Sequence, residues 1–384
     1  MKSSSPSSLV EYALPAHIAF SRELAPYTKH NISDSTGQAL TLAQLCEYSN
    51  RDITQSRLQY APIQGDIKLR AEIIKFHQGL NSHQQDLNAD HAITFSGAQE
   101  ALSAIYQSVL RPGDEVVVVT PSYPSLVIMA KSLGAKVREI KLQPNKAWQI
   151  NIEDFTSVIN SKTRLIVLNS PHNPTGSVID STLAEQILQL AKKYQCYLLS
   201  DDVSQASHYG SINIAHRYLD YQNSIVVGVM SKSFGLAGIR IGWSVTPNKA
   251  LMENIMAIKS RNSICCSVTD EHLALIALEN KEPILAENNR VIVENIALFT
   301  TFVSQFSEHL SWCPPQGGIL ALVEVKNIHS ITDWSTTLAK NTGILALPSK
   351  LFGLSGNYFR LGLGQKNFRQ ILSKFGEYLS ADRA

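Results

Sequence analysis

The residues best suited to chemistry lie in the thirteen-residue string SKSFGLAGIRIGW, at positions 231–243. Its lysine, Lys232, directly follows an apolar segment, where loss of water lowers the pKa of an amine and makes it a competent nucleophile. Arg240 follows eight residues later in a glycine-rich turn, where the backbone can come close to a ligand. A reactive amine beside an arginine indicates a site for a carbonyl compound that carries a phosphate.

This string resembles the cofactor-lysine motif of the class I/II aminotransferases, which use pyridoxal 5'-phosphate (PLP). The resemblance implies that Lys232 holds PLP covalently and that Arg240 and Ser231 bind its phosphate. It also implies an α/β protein of PLP fold type I, aspartate aminotransferase-like. Such a fold has a large domain with a mostly parallel sheet and a smaller α+β domain.

Three further segments match residues that face the PLP ring in this family. The resemblance implies that Asn173, in NSPHNPTG, bonds the phenolic oxygen of the cofactor. Asp201, in LLSDD, would keep the ring nitrogen protonated, because a nearby carboxylate stabilises the positive charge. Tyr123, in TPSYPS, would stack on the face of the ring. Asp202 would then be a structural neighbour.

The phosphate end of the cofactor has its own matches. Ser96, Gly97 and Ala98, in TFSGAQEAL, match the phosphate loop of the family, where a helix start offers backbone N–H groups. Tyr60, in YAPIQGDIKLR, matches a tyrosine that reaches the phosphate of the neighbouring subunit. The resemblance therefore implies a homodimer in which each site borrows Tyr60 from its partner.

The substrate implied by the resemblance is a small molecule, an amino acid. Arg360, in YFRLGLG, matches the arginine that binds the substrate α-carboxylate with both arms of its guanidinium, a geometry that lysine cannot supply. Two positions depart from the family pattern. Ser204 stands where a tyrosine usually bonds the phenolic oxygen, and Val229 stands where many members have serine or threonine.

The segment NISDSTGQALTLAQL, residues 31–45, is similar to an Ile-Ser-x-Ser-Gly stretch of the capreomycidine synthase branch. That likeness implies loss of a side-chain hydroxyl from a hydroxyarginine and ring closure by the guanidine, giving a capreomycidine- or enduracididine-type product. We expect Ser33, Asp34 and Ser35 to lie over the active site, with Asp34 contacting the substrate. A purely structural arm is the alternative, and an ordinary aminotransferase with a keto-acid acceptor is the alternative function.

Apolar runs predict the strands that position these residues. Residues 115–119, 164–169, 196–201 and 224–230 are typical of buried parallel strands, with a helix at 183–194 between two of them. Ligands bind beyond the carboxyl ends of such strands. A long helix at 282–306 and strands at 317–325 and 358–364 predict a smaller domain. We therefore expect an N-terminal arm at 1–45, a large domain at 46–280 and a small domain at 281–384.

Composition limits the remaining possibilities. The net charge is +2 and no like-charge block occurs among 384 residues, which argues against nucleic acid or a membrane surface as a partner. A PLP-binding transcription regulator is also disfavoured, since residues 1–45 are too few and too aperiodic for a DNA-binding unit. The five cysteines have neither zinc nor disulfide spacing, so no metal is predicted. We expect a cytoplasmic protein with a disordered Ser-rich start at 1–8.

Overall fold

The computed structural model describes residues 13–381, so the predicted disorder at residues 1–8 lies outside the described part of the chain. No helix within 13–381 is both long enough and apolar enough to cross a membrane. The helices are α1 (Ala16–Leu24), α2 (Leu42–Cys46), α3 (Ile67–Leu80), α4 (Ala98–Val109), α5 (Pro124–Ser132), α6 (Ile152–Thr156), α7 (Ser181–Tyr194), α8 (Lys249–Asn262), α9 (Val268–Glu279), α10 (Lys281–Gln305), α11 (Ile331–Thr342) and α12 (Phe368–Ala381).

The strands form three sheets, of which the largest has seven members. The strands are β1 (His30–Asn31), β2 (Ala92–Phe95), β3 (Glu115–Thr120), β4 (Lys136–Lys141), β5 (Thr163–Asn169), β6 (Tyr197–Asp201), β7 (Ser224–Val229), β8 (Gly242–Val245), β9 (Leu310–Trp312), β10 (Leu320–Val325), β11 (Ile344–Leu345), β12 (Leu347–Pro348) and β13 (Tyr358–Gly362).

The large sheet has the strand order β2-β8-β7-β6-β5-β3-β4. Strands β3 to β7 pair in parallel, whereas β8 is antiparallel to both β7 and β2. The four strands predicted from apolar runs are confirmed as β3, β5, β6 and β7, with ends that differ by one residue. The predicted α/β class with a mostly parallel sheet is therefore confirmed.

Both faces of this sheet are covered, which explains why its strands are apolar without alternation. Val116 and Val118 pack into a core that includes residues of α4 and α8. Val117 and Val119 point the other way, into a core that includes residues of α7. Helix α7 begins where the Asp180 side chain accepts a hydrogen bond from the Leu183 N–H.

A four-stranded antiparallel sheet, β12-β13-β10-β9, forms the second unit. Aromatic side chains such as Phe299, Phe359 and Phe375 fill the core between this sheet and helices α10, α11 and α12. The predicted long helix at 282–306 is observed as α10. The predicted strand at 317–325 is observed as β10, which starts later because the chain bends at residues 316–319, and the predicted strand at 358–364 is observed as β13, which ends at Gly362.

The described part of the N-terminal arm contacts both units. Strand β1 pairs with β11, and α1 packs Phe20 and Leu24 against residues of the small sheet region. Leu45 instead joins a core on the large sheet. Between them, the Gly37 N–H donates to the Lys232 carbonyl over 2.9 Å. The arm therefore crosses the junction of the two units, directly beside the lysine.

Candidate active site

A cavity of about 260 Å³ lies beyond the carboxyl ends of β5, β6 and β7. Strand β13 and the N-terminal arm close its other side. This is where ligands bind in open parallel sheets, because loops after successive strands converge there. The residues that line it are His17, Ser35, Ala98, Gln99, Leu102, Tyr123, Asn169, Asn173, Asp201, Val203, Ser204, Val229, Ser231, Lys232, Arg240, Leu320 and Arg360.

Lys232 lies in the turn that follows β7. Its Nζ donates a hydrogen bond to the Ser35 hydroxyl over 2.8 Å. Burial is the main cause that lowers the pKa of the amine to about 8, with the Arg360 cation acting in the same direction and the Asp201 and Asp34 carboxylates in the opposite one. A small but useful fraction of this amine is therefore unprotonated near pH 7, as a nucleophile requires.

Asp201 ends β6 and is 4% exposed. Burial raises the pKa of its carboxyl to about 7. The carboxylate accepts only a long backbone hydrogen bond, 3.4 Å from the Val203 N–H, among residues 13–381. A buried carboxylate of this kind is stabilised by a cationic partner. The cavity side of Asp201 is thus suited to a positively charged ring nitrogen.

The neighbouring carboxylate has a different environment. Asp202 accepts hydrogen bonds from Ser200 and, over 2.7 Å, from the His216 ring. Burial disfavours its ionised form, but His216 and Ser200 outweigh burial and hold the pKa of Asp202 below its ordinary value. Asp202 does not line the cavity. The expectation that Asp202 is structural agrees with this placement.

Two asparagines connect the cavity walls. The Asn169 side chain donates to the Asp201 carbonyl over 3.0 Å and accepts from the Asn173 N–H over 2.8 Å. The Asn173 side-chain oxygen in turn accepts a hydrogen bond from Arg360 Nη1, over 3.4 Å. The loop after β5 is thereby fixed to the end of β6 and to β13. Sequence reasoning did not single out Asn169, although its place at a strand end was a usable signal.

Arg360 projects from β13 and is 6% exposed. Its Nη2 donates to the Ser33 carbonyl over 2.8 Å, and its guanidinium lies 4.8 Å from the centre of the Phe352 ring. Its Nε is buried without a hydrogen-bond partner among residues 13–381. Burial lowers the pKa of this guanidinium to about 10, so it stays charged at pH 7. A buried guanidinium that has a free N–H group and lines a cavity is suited to bind a carboxylate.

The phosphate end is formed around Gly97, the residue that precedes α4. Gly97 has φ of +87°, and a Cβ at this position would lie 2.3 Å from Arg240 Nη2. Only glycine allows this approach. The Ser96 N–H is already bonded to the Glu100 carboxylate over 2.7 Å. The free donors are therefore the first-turn amides of α4, starting at Ala98, rather than the Ser96 amide.

The segment predicted to cover the site does so through Ser35. Ser35 lines the cavity, whereas the Asp34 carboxylate turns back to accept hydrogen bonds from the Thr36 N–H, over 2.8 Å, and its hydroxyl, over 2.7 Å. The Ser33 hydroxyl donates to the Arg360 carbonyl. Asp34 does not line the cavity, although its charge acts on Lys232 and Arg360.

Tyr60 does not line the cavity of its own chain. It is 82% exposed and lines a separate surface hollow with Arg57 and Val268. Its loop is held by Lys259, whose Nζ donates to the Ile63 carbonyl. Of the site residues predicted from the sequence, Tyr60 and Asp34 do not line the cavity. Ser96 and Gly97 stand at its edge, and the others line it directly.

His17 lines the cavity and was missed from the sequence. It lies on the first turn of α1, three and seven residues before the buried Phe20 and Leu24. This spacing places the three side chains on one helix face. The spacing of these three residues was visible in the sequence, but only the fold shows that His17 lines the cavity.

The model of the family described as "Aminotransferase class I and II" matches residues 29–373. The chain belongs to this family. It is 30% identical to capreomycidine synthase of Streptomyces vinaceus over 84% of this chain and 80% of that protein. It is also 25% identical to an arginine–pyruvate transaminase of Pseudomonas aeruginosa, over 84% of this chain and 82% of that protein.

Among solved structures, a PLP-dependent aminotransferase from Streptococcus suis superposes with a TM-score of 0.88 at 24% identity, covering 97% of this chain and 99% of that one. This likeness establishes the fold as aspartate aminotransferase-like, PLP fold type I. As a class I and II aminotransferase family member, the chain is a PLP-dependent enzyme.

The chemical groups that line the cavity suit PLP. Asp201 is buried and forms no ion pair with another residue of 13–381, and the protonated ring nitrogen of PLP would supply a cation there. Arg240, the Gly97 turn and the first backbone amides of α4 lie together and provide a positive charge and N–H donors suited to bind a phosphate. The Lys232 amine lies in the same cavity. The residues present therefore suit a cofactor with an aldehyde, a ring nitrogen and a phosphate.

Proposed function

We propose that this enzyme removes a side-chain hydroxyl from a hydroxyarginine and closes a ring through the guanidine, as the likeness to capreomycidine synthase implies. That likeness is the observation that carries the proposal, because it extends over 84% of the chain. The contact between the arm and the lysine is consistent with it, since Ser35 of the capreomycidine synthase-like segment bonds Lys232.

We assign the cofactor-binding roles as follows. Lys232 holds PLP covalently, Asp201 keeps a proton on the ring nitrogen, and Asn173 bonds the phenolic oxygen. Tyr123 would stack on the face of the ring. The phosphate is bound by the group Ser96, Gly97, Ala98, Ser231 and Arg240, with Tyr60 added from a neighbouring subunit.

Arg360 would bind the α-carboxylate and so place the substrate Cα beside the Lys232 amine. PLP, when bound, supplies an electron sink for the bonds at Cα. Lys232 would then take the α-proton as a general base. The Ser35 hydroxyl, 2.8 Å from Nζ, keeps the amine aimed into the cavity.

The proposed reaction of a β-hydroxyarginine balances without an oxidant. The α-proton leaves to Lys232, the Cβ–O bond breaks, and the hydroxyl departs as water with one added proton. A guanidine nitrogen then bonds to Cβ and loses a proton, while Cα regains one. The net change is loss of one water. A γ-hydroxyarginine would also require removal of a proton from Cβ.

An ordinary aminotransferase that uses a keto-acid acceptor is the second candidate. The similarity to an arginine–pyruvate transaminase favours it, over the same share of the chain at lower identity. All proposed cofactor residues serve both reactions, so the cavity alone does not separate them.

Mass spectrometry of products separates the two candidates. The holoenzyme would be incubated with arginine and its β- and γ-hydroxy forms, without a keto acid. Multiple turnovers with net loss of water and a cyclic product are expected. Transamination without an acceptor stops after one turnover. Turnover that starts only when a keto acid is added would contradict the cyclase proposal.

Replacing Arg360 with lysine should weaken substrate binding much more than catalysis. Lysine keeps the charge but not the paired donors, and one hydrogen bond to a charged group contributes about 1.5–3 kcal/mol. We therefore expect the KM of the Arg360→Lys enzyme to rise by about 10- to 100-fold. Steady-state kinetics would measure this. The matched control is Arg369→Lys on the exterior, and equal KM values for both variants would exclude the carboxylate role.

Hybrid dimers test the proposal that Tyr60 completes the neighbouring site. Tyr60→Ala and Lys232→Ala enzymes, each inactive or weak alone, would be mixed, unfolded and refolded together. A hybrid dimer then has one site with both native residues, so the mixture should regain about a quarter of native activity. No gain above the sum of the separate variants would mean that Tyr60 does not act across subunits.

Asp34 remains a proposed substrate-binding residue, acting through its charge or through the shape of the arm. An Asp34→Ala enzyme is expected to shift its substrate preference. Unchanged preference and rate would leave the arm as a structural element.

A further inference from the structure

His17 is a polar side chain in the cavity that none of the assigned roles uses. Its ring lies 5.7 Å from the Tyr123 ring, edge to face, and 6.5 Å from the Phe352 ring, nearly stacked. Nδ1 is buried and has no hydrogen-bond partner within residues 13–381. Unpaired buried polar atoms are rare in folded proteins, because each one costs free energy. Such an atom at a ligand cavity indicates a partner that arrives with the ligand.

The fold holds His17 in this place. Phe20 and Leu24, on the same face of α1, are 9% and 1% exposed. They pack against Leu345, Leu347 and Phe352 beside the small sheet. The Phe352 ring also contacts the Arg360 guanidinium, at 4.8 Å. His17 and the proposed carboxylate-binding arginine therefore share one aromatic support, which fixes their separation.

The surroundings of His17 favour its neutral form. Burial lowers the pKa of the imidazole, and the Arg360 and Lys232 cations lower it further. A neutral imidazole carries one nitrogen that accepts a hydrogen bond and one that donates. The nearby Tyr123 hydroxyl is directed to the Gln99 side-chain oxygen, 3.3 Å away, and does not serve His17. The acceptor of His17 is available to a ligand with an N–H or O–H group.

The carboxylate and side-chain amide oxygens that line the cavity have partners. Asp201 is the only carboxylate among the described residues that line it, and the ring nitrogen of PLP would occupy that group. The Asn173 side-chain oxygen accepts from Arg360, and the Ser35 hydroxyl accepts from Lys232. His17 is thus the acceptor best placed to meet a substrate side chain.

We propose that His17 selects the substrate, its neutral imidazole accepting a hydrogen bond from a donor group on the amino-acid side chain. The site would then prefer arginine and its hydroxylated derivatives to apolar amino acids of similar length. This inference takes from the proposed function the identity of the substrate side chain. It does not depend on which reaction follows binding.

The test is a binding titration of the holoenzyme with arginine and with norleucine, whose side chain is a shorter unbranched alkyl chain with no hydrogen-bond donor. Calorimetry gives both dissociation constants without reference to turnover. The variants are His17→Phe, which keeps a ring, and His17→Asn and His17→Gln, which place an amide near Nδ1 and Nε2 respectively. Thermal unfolding of each variant checks that the fold is intact.

We expect the native enzyme to prefer arginine and His17→Phe to lose about tenfold in arginine affinity, the order expected for one hydrogen bond to a charged group. Norleucine affinity should stay constant, and at least one amide variant should keep most of the preference. If His17→Phe keeps the full preference, the inference is wrong and the proposed function stands. If the native enzyme shows no preference, the proposed substrate class fails, and the inference with it.

Discussion

The Lys232→Ala enzyme is expected to lose catalytic turnover by about 10³-fold or more, since a positioned general base alone contributes about 10²- to 10⁴-fold. The reason lies in the position of the amine. Lys232 lines the cavity together with Asp201 and Arg360, and burial lowers the pKa of its amine to about 8. No other lysine lines this cavity among residues 13–381. No other described lysine is therefore placed to replace it.

The measurement is kcat with a defined substrate, together with the visible absorption of the purified protein. Lys131→Ala, on the exposed side of α5, is the matched control and should retain native turnover. A Lys232→Ala enzyme with turnover within tenfold of native would remove Lys232 from the mechanism. Thermal unfolding of both variants shows whether a loss of activity reflects a loss of fold.

The Asp201→Asn enzyme should lose turnover by about 10²- to 10³-fold, the usual cost of removing one preorganised charge from a reaction centre. An amide has the same shape as the carboxylate but does not hold a proton on the ring nitrogen. Because burial already raises the pKa of Asp201 to about 7, a neutral group in its place should cost little stability. The expected result is therefore low kcat with a nearly unchanged Tm.

Asp202→Asn is the matched comparison, one residue away on the same strand end. This carboxyl has a depressed pKa, so its ionised form stabilises the fold above the pKa of the unfolded chain, and that stability is lost as the pH falls. Removing its charged hydrogen bond with His216 should cost about 1.5–3 kcal/mol and lower Tm. If Asp202→Asn lost turnover and Asp201→Asn lost only stability, the assignment of the two carboxylates would be reversed.

The sequence was most informative about the polar side chains that follow the predicted strands. Asn173, Asp201 and Lys232 were predicted from the resemblance of their motifs to the family, and the apolar runs before them placed all three at one edge of a parallel sheet. The strands β5, β6 and β7 confirm that arrangement. Arg360 was predicted from a short motif in a different unit, and only the packing of β13 against the loop after β5 brings it to the same cavity.

The features that the sequence did not give depend on tertiary contacts. His17 is separated from Lys232 by more than half of the chain, and nothing local marks it as a cavity residue. The hydrogen bond from the Ser96 N–H to the Glu100 carboxylate depends on how the first turn of α4 is oriented, which the motif does not specify. The contact of Tyr60 with the phosphate site of a second subunit would require a second chain, so it stays a prediction.

The most direct test of the central claim is to locate the covalent bond between enzyme and cofactor. The holoenzyme would be treated with borohydride, which makes that bond permanent, and then digested and analysed by mass spectrometry. We predict that the cofactor mass appears on the peptide containing Lys232 and is absent from the Lys232→Ala protein. A cofactor adduct on a different lysine, or no adduct in the native enzyme, would contradict this account of the site.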